Sequence, residues 1–202
     1  MILPFNWDRR IHIWTLLQSS EQPDARLQSY LSTCLGLPPE TLSLHRDEHG
    51  KPYLLPPYAW LRFSLSHSKG RAMLVAARDV TPGVDIENLS RKLRVRALAE
   101  RFFTPAESLA LQQCSPATRK ASFLQLWCHK EAVLKAHGVG IAFGLQRIDF
   151  LWQPTTWIPA TFNPAIGSAA DWQVHDLALG LDWVGCIAWR GPPRIMILHQ
   201  GL

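Results

Sequence analysis

Leu126-Trp127-Cys128-His129-Lys130-Glu131-Ala132-Val133-Leu134-Lys135-Ala136-His137-Gly138-Val139-Gly140 is the stretch around which the chain is organised. At about 100° per residue, Trp127, Glu131 and Lys135 stand at i, i+4 and i+8, within about 80° of one another on one helical face. A carboxylate and an ammonium therefore share a face with a large aromatic. One reading is a Glu-to-Lys pair on a solvated helix, stabilising by roughly 0.2–0.5 kcal/mol. The other is a functional acid and cation held on a rigid support. The helix reads from about Pro116 to Gly138, where glycine supplies its end.

Upstream, Gly83-Val84-Asp85-Ile86-Glu87-Asn88 alternates as a strand does. Val84 and Ile86 take one face, and Asp85 and Glu87 take the other with origins about 7 Å apart. Two such acids repel, and ionised together they call for a cation; oxygen-only donors suit Mg²⁺ better than Zn²⁺. The competing reading is a pair of solvent-facing acids on an edge strand. Leu89 to Phe103 reads as a helix carrying Arg91, Lys92, Arg94, Arg96 and Arg101, either a solvated face or a dock for an acidic partner. Thr104-Pro105-Ala106-Glu107 has capping-box spacing and opens a further helix.

Earlier in the chain, Ile11 to Leu16 reads as a strand and the polar run Ser19 to Asp24 breaks it. Asp24 is placed to cap a helix over Ala25 to Leu35 that ends at Gly36, with Arg26 opposite its apolar stripe. A short strand, Leu42 to Arg46, leads into the turn Asp47-Glu48-His49-Gly50-Lys51-Pro52, where Lys51 is either a phosphate contact or a solvated turn lysine. Leu61 to Ser68 and Ala72 to Ala77 form a hairpin about Lys69-Gly70, with Ser66, His67 and Ser68 at its tip. Beyond the long helix, strands are expected near Arg147–Trp152, Trp172–Leu177, Val184–Trp189 and Ile195–Leu198, with Pro154 to Ala170 as a long loop.

The 202 residues, 47% hydrophobic and 18% charged, suffice for a packed core in one domain or two small ones. The order of elements echoes weakly between residues 1–82 and 83–202. We therefore expect an internal duplication with the active site between the two halves. Such a chain closes its own site as a monomer. Four dispersed cysteines, no apolar run of membrane-spanning length and no basic leader segment point to a reducing, cytoplasmic setting and no membrane. The net charge of +5 is spread along the chain without a basic run, which disfavours nucleic acid and fits an anionic ligand or an acidic partner.

In order, Gly50-Lys51-Pro52, Phe63-Ser64-Leu65-Ser66-His67-Ser68, Gly83-Val84-Asp85-Ile86-Glu87, Phe102-Phe103-Thr104-Pro105-Ala106-Glu107 and Trp127 to Gly140 resemble the signatures of the 4′-phosphopantetheinyl transferases, of the larger Sfp type. Each motif is short, and their order over most of the chain carries the resemblance. It implies transfer of the phosphopantetheine arm of coenzyme A to a serine of an apo acyl or peptidyl carrier protein, with release of adenosine 3′,5′-bisphosphate. It further implies an α+β pseudo-dimer of two similar halves in one chain, and Mg²⁺ held by Asp85, Glu87 and Glu131, with either Glu131 or a metal-bound water as base for the serine and Lys135 on the pyrophosphate. Lys51, Ser66 and His67 would hold coenzyme A phosphates. Relatives often place several basic residues near the first helix for the 3′-phosphate; this chain offers Arg26, with Arg9, Arg10 and Arg46 nearby in sequence.

Two other classes compete. A Mg²⁺-dependent phosphodiesterase would use the same carboxylates but has no need of Gly-Lys-Pro and Ser-His-Ser in this order. A non-catalytic carrier-binding module has no need of Asp85, Glu87, Glu131 and Lys135 together.

Overall fold

A computed structural model of the chain describes residues 4–17, 22–153 and 155–200. Residues 19–21 of the expected polar break, and Pro154, lie outside them. The elements follow in the order β1 (Arg10–Leu17), α1 (Pro23–Leu35), β2 (Leu44–Arg46), β3 (Pro52–Leu54), β4 (Arg62–Ser68), β5 (Arg71–Ala77), β6 (Gly83–Asn88), α2 (Val95–Phe102), α3 (Pro105–Gln113) and α4 (Arg119–His137). After these come β7 (Ile148–Gln153), β8 (Thr156–Phe162), β9 (Trp172–Asp176), β10 (Trp183–Arg190) and β11 (Ile195–Gln200). The fold is of the α+β class.

One sheet has the order β11-β1-β5-β4 and a second has β6-β10-β9; β2-β3 and β7-β8 are hairpins apart from them. The chain crosses from the first sheet to the second between Ala77 and Gly83, and its last described strand, β11, returns to lie parallel to β1. Strand alternation explains the layering. Ile11, Ile13, Met73 and Val75 of the first sheet pack with Val84, Ile86, Ile187 and Trp189 of the second in a shared core. The opposite face of the first sheet, with Trp14, Leu16 and Leu74, buries the Leu27 and Leu31 stripe of α1. Cys186 and Ala188 of the second sheet pack with Leu126, Val133 and Leu134 of α4.

Helix α4 touches β6 at backbone distance because Gly83 has no side chain. A Cβ there would sit 2.0 Å from the Ala132 carbonyl oxygen and 2.4 Å from the Ala136 nitrogen. The helix is enclosed on nearly every side, with Leu126, Cys128, His129, Lys130, Ala132, Val133 and Leu134 all buried. A helix buried around its circumference is a core element, so the solvated-helix reading of Glu131 and Lys135 fails.

Several local expectations change. Helix α1 begins after Gln22 without a side-chain cap, and Asp24 lies inside its first turn, where it pairs with Arg46. Arg26 is 4% exposed, buried against the expectation of an outward side chain. The helix expected over Leu89–Phe103 starts only at Val95, since 89–94 turns with Arg91 N–H on the Asn88 carbonyl. Ser66, His67 and Ser68 belong to β4, and the turn itself is Lys69-Gly70, both with positive φ. Within the expected loop from Pro154 to Ala170, Thr156–Phe162 is a strand. Its register on β7 slips at Asp149/Phe150, opposite Pro159, which has no N–H to give a ladder. Thr104 does cap α3 in a full capping box with Glu107, and the cysteines among the described residues are free.

Candidate active site

Asp85 and Glu87 project from β6 on the side away from the shared core, as alternation requires. Both are buried, at 6% and 8% exposure, so the reading of solvated acids on an edge strand is overturned. The Asp85 carboxylate accepts hydrogen bonds through Oδ1 from Ser66 Oγ at 2.8 Å and from Lys135 Nζ at 2.7 Å. Glu87 accepts from Ser68 Oγ at 3.1 Å and is paired with Arg91. Burial raises the Glu87 carboxyl above its ordinary range, and Asp85 adds to that, against the lowering effect of Arg91.

From α4, Glu131 and Lys135 face the same acidic pair. Burial, with the charges of Asp85 and Glu87, pushes Glu131 up to about 7. Burial acts to lower Lys135, but the charge of Asp85 and its hydrogen bond win, and the ammonium is held above its ordinary value. Lys135 also donates to the Val84 carbonyl at 3.2 Å. Its hydrogen bonds therefore go to β6, while Glu131 acts on it through charge.

Beside this cluster lies a cavity of about 370 Å³ lined by Arg26, Arg46, His49, Lys51, His67 and Lys135, with Leu27, Phe63 and Leu134 as apolar wall. Lys135 joins the two regions, since it lines the cavity and touches Asp85. Lys51 is not a solvated turn lysine. Its Nζ donates to the carbonyls of Lys135 at 2.6 Å and Ala136 at 3.0 Å, at the C-terminal end of α4, and burial lowers its pKa to about 8. His67 is exposed and borders the cavity, whereas Ser66 is buried and turned to Asp85. Arg26 and Arg46 line the cavity; Arg9 and Arg10 do not.

The expected metal triad is not assembled as a ready site: among the described residues no three His, Cys, Asp or Glu side chains are gathered closely enough to hold an ion. Lys135 and Arg91 supply positive charge to Asp85 and Glu87 instead. The donors nevertheless suit a hard divalent cation. Asp85 Oδ2 is buried with no hydrogen-bond partner, and the charge of Asp85 raises the proton affinity of Glu87 while both raise that of Glu131, a repulsion that such an ion relieves.

Ser64, which contacts β6, and His49, which lines the cavity, carry no role in the sequence; Ser68, expected at the hairpin tip, instead bonds Glu87, and Arg91, expected on a solvated or docking face, pairs with Glu87. The alternation Ser64-x-Ser66-x-Ser68 is the signal that places Ser64 with the other two serines.

Buried carboxylates thus stand beside a cavity lined by basic side chains. Residues 81–186 match the family model of the 4′-phosphopantetheinyl transferase superfamily. The chain is 32% identical over 167 residues to the 4′-phosphopantetheinyl transferase HetI of Nostoc sp., covering 82% of this chain and 68% of that protein. It is 34% identical to the 4′-phosphopantetheinyl transferase of Bacillus subtilis, covering 62% of this chain and 54% of that one. With 4′-phosphopantetheinyl transferase psf-1 of Bacillus pumilus it shares 37% identity, covering 64% of this chain and 56% of the relative. The alignments thus span little more than half the length of the two Bacillus proteins. The chain belongs to the 4′-phosphopantetheinyl transferase superfamily.

Proposed function

We propose that the chain transfers the 4′-phosphopantetheine arm of coenzyme A to a serine of an apo acyl or peptidyl carrier protein. The observation that carries this reading is Lys135, which lines the basic cavity and bonds to Asp85 in the acidic cluster. Coenzyme A lies in the cavity, its phosphates facing Lys51, His67, Arg26 and Arg46. Its pyrophosphate reaches Lys135. The carrier serine oxygen attacks the phosphorus that bears the pantetheine arm, forming the new P–O bond. The bridging P–O bond breaks, and adenosine 3′,5′-bisphosphate leaves with the electron pair.

Glu131, with a carboxyl pushed up to about 7, is suited to accept the serine proton near neutral pH. Lys135 stabilises charge that gathers on the pyrophosphate oxygens in the transition state. Asp85, Glu87 and Glu131 would hold Mg²⁺, which when bound supplies Lewis-acid stabilisation of the same oxygens. We read residues 1–82 and 83–202 as the two α+β halves of a monomeric pseudo-dimer with this cleft at their seam. Lys92, Arg94 and Arg101, beside and on α2, are the docking charges for an acidic carrier, since Arg91 and Arg96 already pair with Glu87 and Glu100. Among the described residues no helix is long and apolar enough to cross a membrane.

The test is to incubate the protein with coenzyme A, Mg²⁺ and a panel of apo carriers and weigh the carriers. One gains the mass of a phosphopantetheine group. Hydrolysis of coenzyme A without carrier modification supports a phosphodiesterase instead, and carrier binding without either reaction supports a binding module.

A further inference from the structure

Strands β4 and β6 are the neighbouring edges of the two sheets, and they meet without a backbone ladder. The outward N–H groups of an edge strand need partners from elsewhere when buried. Here serine side chains supply them. Val84 N–H donates to Ser64 Oγ, Ile86 N–H to Ser66 Oγ and Asn88 N–H to Ser68 Oγ, each at 3.3 Å. The three serines stand at alternate positions of β4 and so share one face.

Two of the three do more. A hydroxyl can accept and donate at once. Having accepted from the amide of Ile86, Ser66 gives its own hydrogen to Asp85 Oδ1 at 2.8 Å; having accepted from Asn88, Ser68 gives its hydrogen to Glu87 Oε2 at 3.1 Å. The same unit is repeated two residues along: one serine, one carboxylate and the amide that follows it. Ser64 faces the corresponding position at Gly83, where there is no side chain to hold. A hydroxyl orients a carboxylate without neutralising it, so the acid keeps its charge for a cation. Ser66 is 4% exposed and is not among the residues that line the basic cavity, and its hydroxyl hydrogen is directed to Asp85.

We propose that Ser66 and Ser68 are positioning residues that set Asp85 and Glu87 for the divalent cation. The proposal rests on the transfer reading above. It also makes the seam between the sheets part of the site, since the strand that carries His67 toward the cavity orients the metal carboxylates from its other face.

The experiment compares wild type with Ser66→Ala, Ser68→Ala and Ser68→Thr. Mg²⁺ binding is measured by calorimetry without coenzyme A, coenzyme A binding is measured without metal, and kcat and KM for transfer are measured with both. Each alanine variant weakens Mg²⁺ binding by about 10–100-fold, the range for loss of a group that orients a metal ligand. Metal-free coenzyme A affinity stays at the wild-type value, and Ser68→Thr, which keeps the hydroxyl, recovers Mg²⁺ affinity. Weakened coenzyme A binding in Ser66→Ala with intact Mg²⁺ binding makes Ser66 a phosphate ligand and overturns the proposal. If Ser66→Ala does not fold, the two Ser68 variants decide. Wild type that binds Mg²⁺ but modifies no carrier removes the transfer reading, while the comparison of Mg²⁺ affinities still tests the serines.

Discussion

Lys130 Nζ lies 2.7 Å from Glu107 Oε2, and neither side chain has any exposure to solvent. The ammonium also donates to the carbonyls of Leu145 and Ile148, and Glu107 accepts from the backbone N–H groups of Thr104 and Phe150. One ion pair thus ties α3, α4 and β7 together behind the active site. Burial raises the Glu107 carboxyl and lowers the Lys130 ammonium, so each ion depends on the other to stay charged. Removing one partner strands the other, at a cost of about 3–5 kcal/mol. Lys130→Met therefore lowers unfolding stability in urea by that amount, and adding Glu107→Gln recovers part of it. A single-variant loss no larger than that of the double variant counts against the pair.

Asp85→Ala and Glu131→Gln abolish carrier modification and leave the circular dichroism spectrum unchanged. Asp85 holds the Lys135 ammonium in place, and Glu131 is the proton acceptor in the proposed step. Near-wild-type transfer in either variant removes that residue from the mechanism.

Lys51 makes stability depend on pH in a defined window. Burial lowers it from 10.5 to about 8, so between those values the unfolded chain binds more protons than the folded one. Stability then rises with pH across the window, and the cost is fully present below it. Relative to Lys51→Met, wild type gains up to about 3 kcal/mol as pH rises from 8 to 10.5. Paired urea titrations check the sign. In transfer assays Lys51→Ala raises the coenzyme A requirement more than it lowers the maximal rate, as loss of a ground-state phosphate contact does. A change in the maximal rate alone contradicts that role.

Gly83→Ala tests how closely α4 rests on β6. The added methyl would stand 2.0 Å from the Ala132 carbonyl oxygen, which belongs to helix backbone and cannot swing aside. Overpacking of this kind costs about 1–3 kcal/mol or more. The variant also loses transfer activity, because the displacement separates Glu131 and Lys135 from Asp85. A wild-type melting temperature would show that strand and helix are not in contact there.

What the sequence made legible was local chemistry. Thr104 and Glu107 announce a cap because both partners lie within one turn, and Gly36 and Gly138 mark helix ends because their left-handed φ is set by the residue itself. Asp85 and Glu87 could be put on one face by alternation alone. What stayed hidden depends on partners remote in sequence. Nothing near Lys51 shows that its ammonium caps α4 some 84 residues away, or that Lys130 finds Glu107 in another helix. Strand β8 was masked by prolines and threonines, and its place comes from pairing with β7. The engagement of the Ser66 hydroxyl with Asp85 is hidden in the same way.

The parallel pairing of β11 with β1 sets Ile195 against Arg10. A chain emerging from the ribosome makes β1 well before β11 and cannot complete the sheet of β1 until β11 has been made. Until then β1 offers a bare edge to other chains, and such edges favour aggregation. Closing so long a loop adds little to the equilibrium cost but slows the search for the native pairing. Soluble yield in the cell is thus tied to synthesis of β11, whose residues line neither the acidic cluster nor the basic cavity.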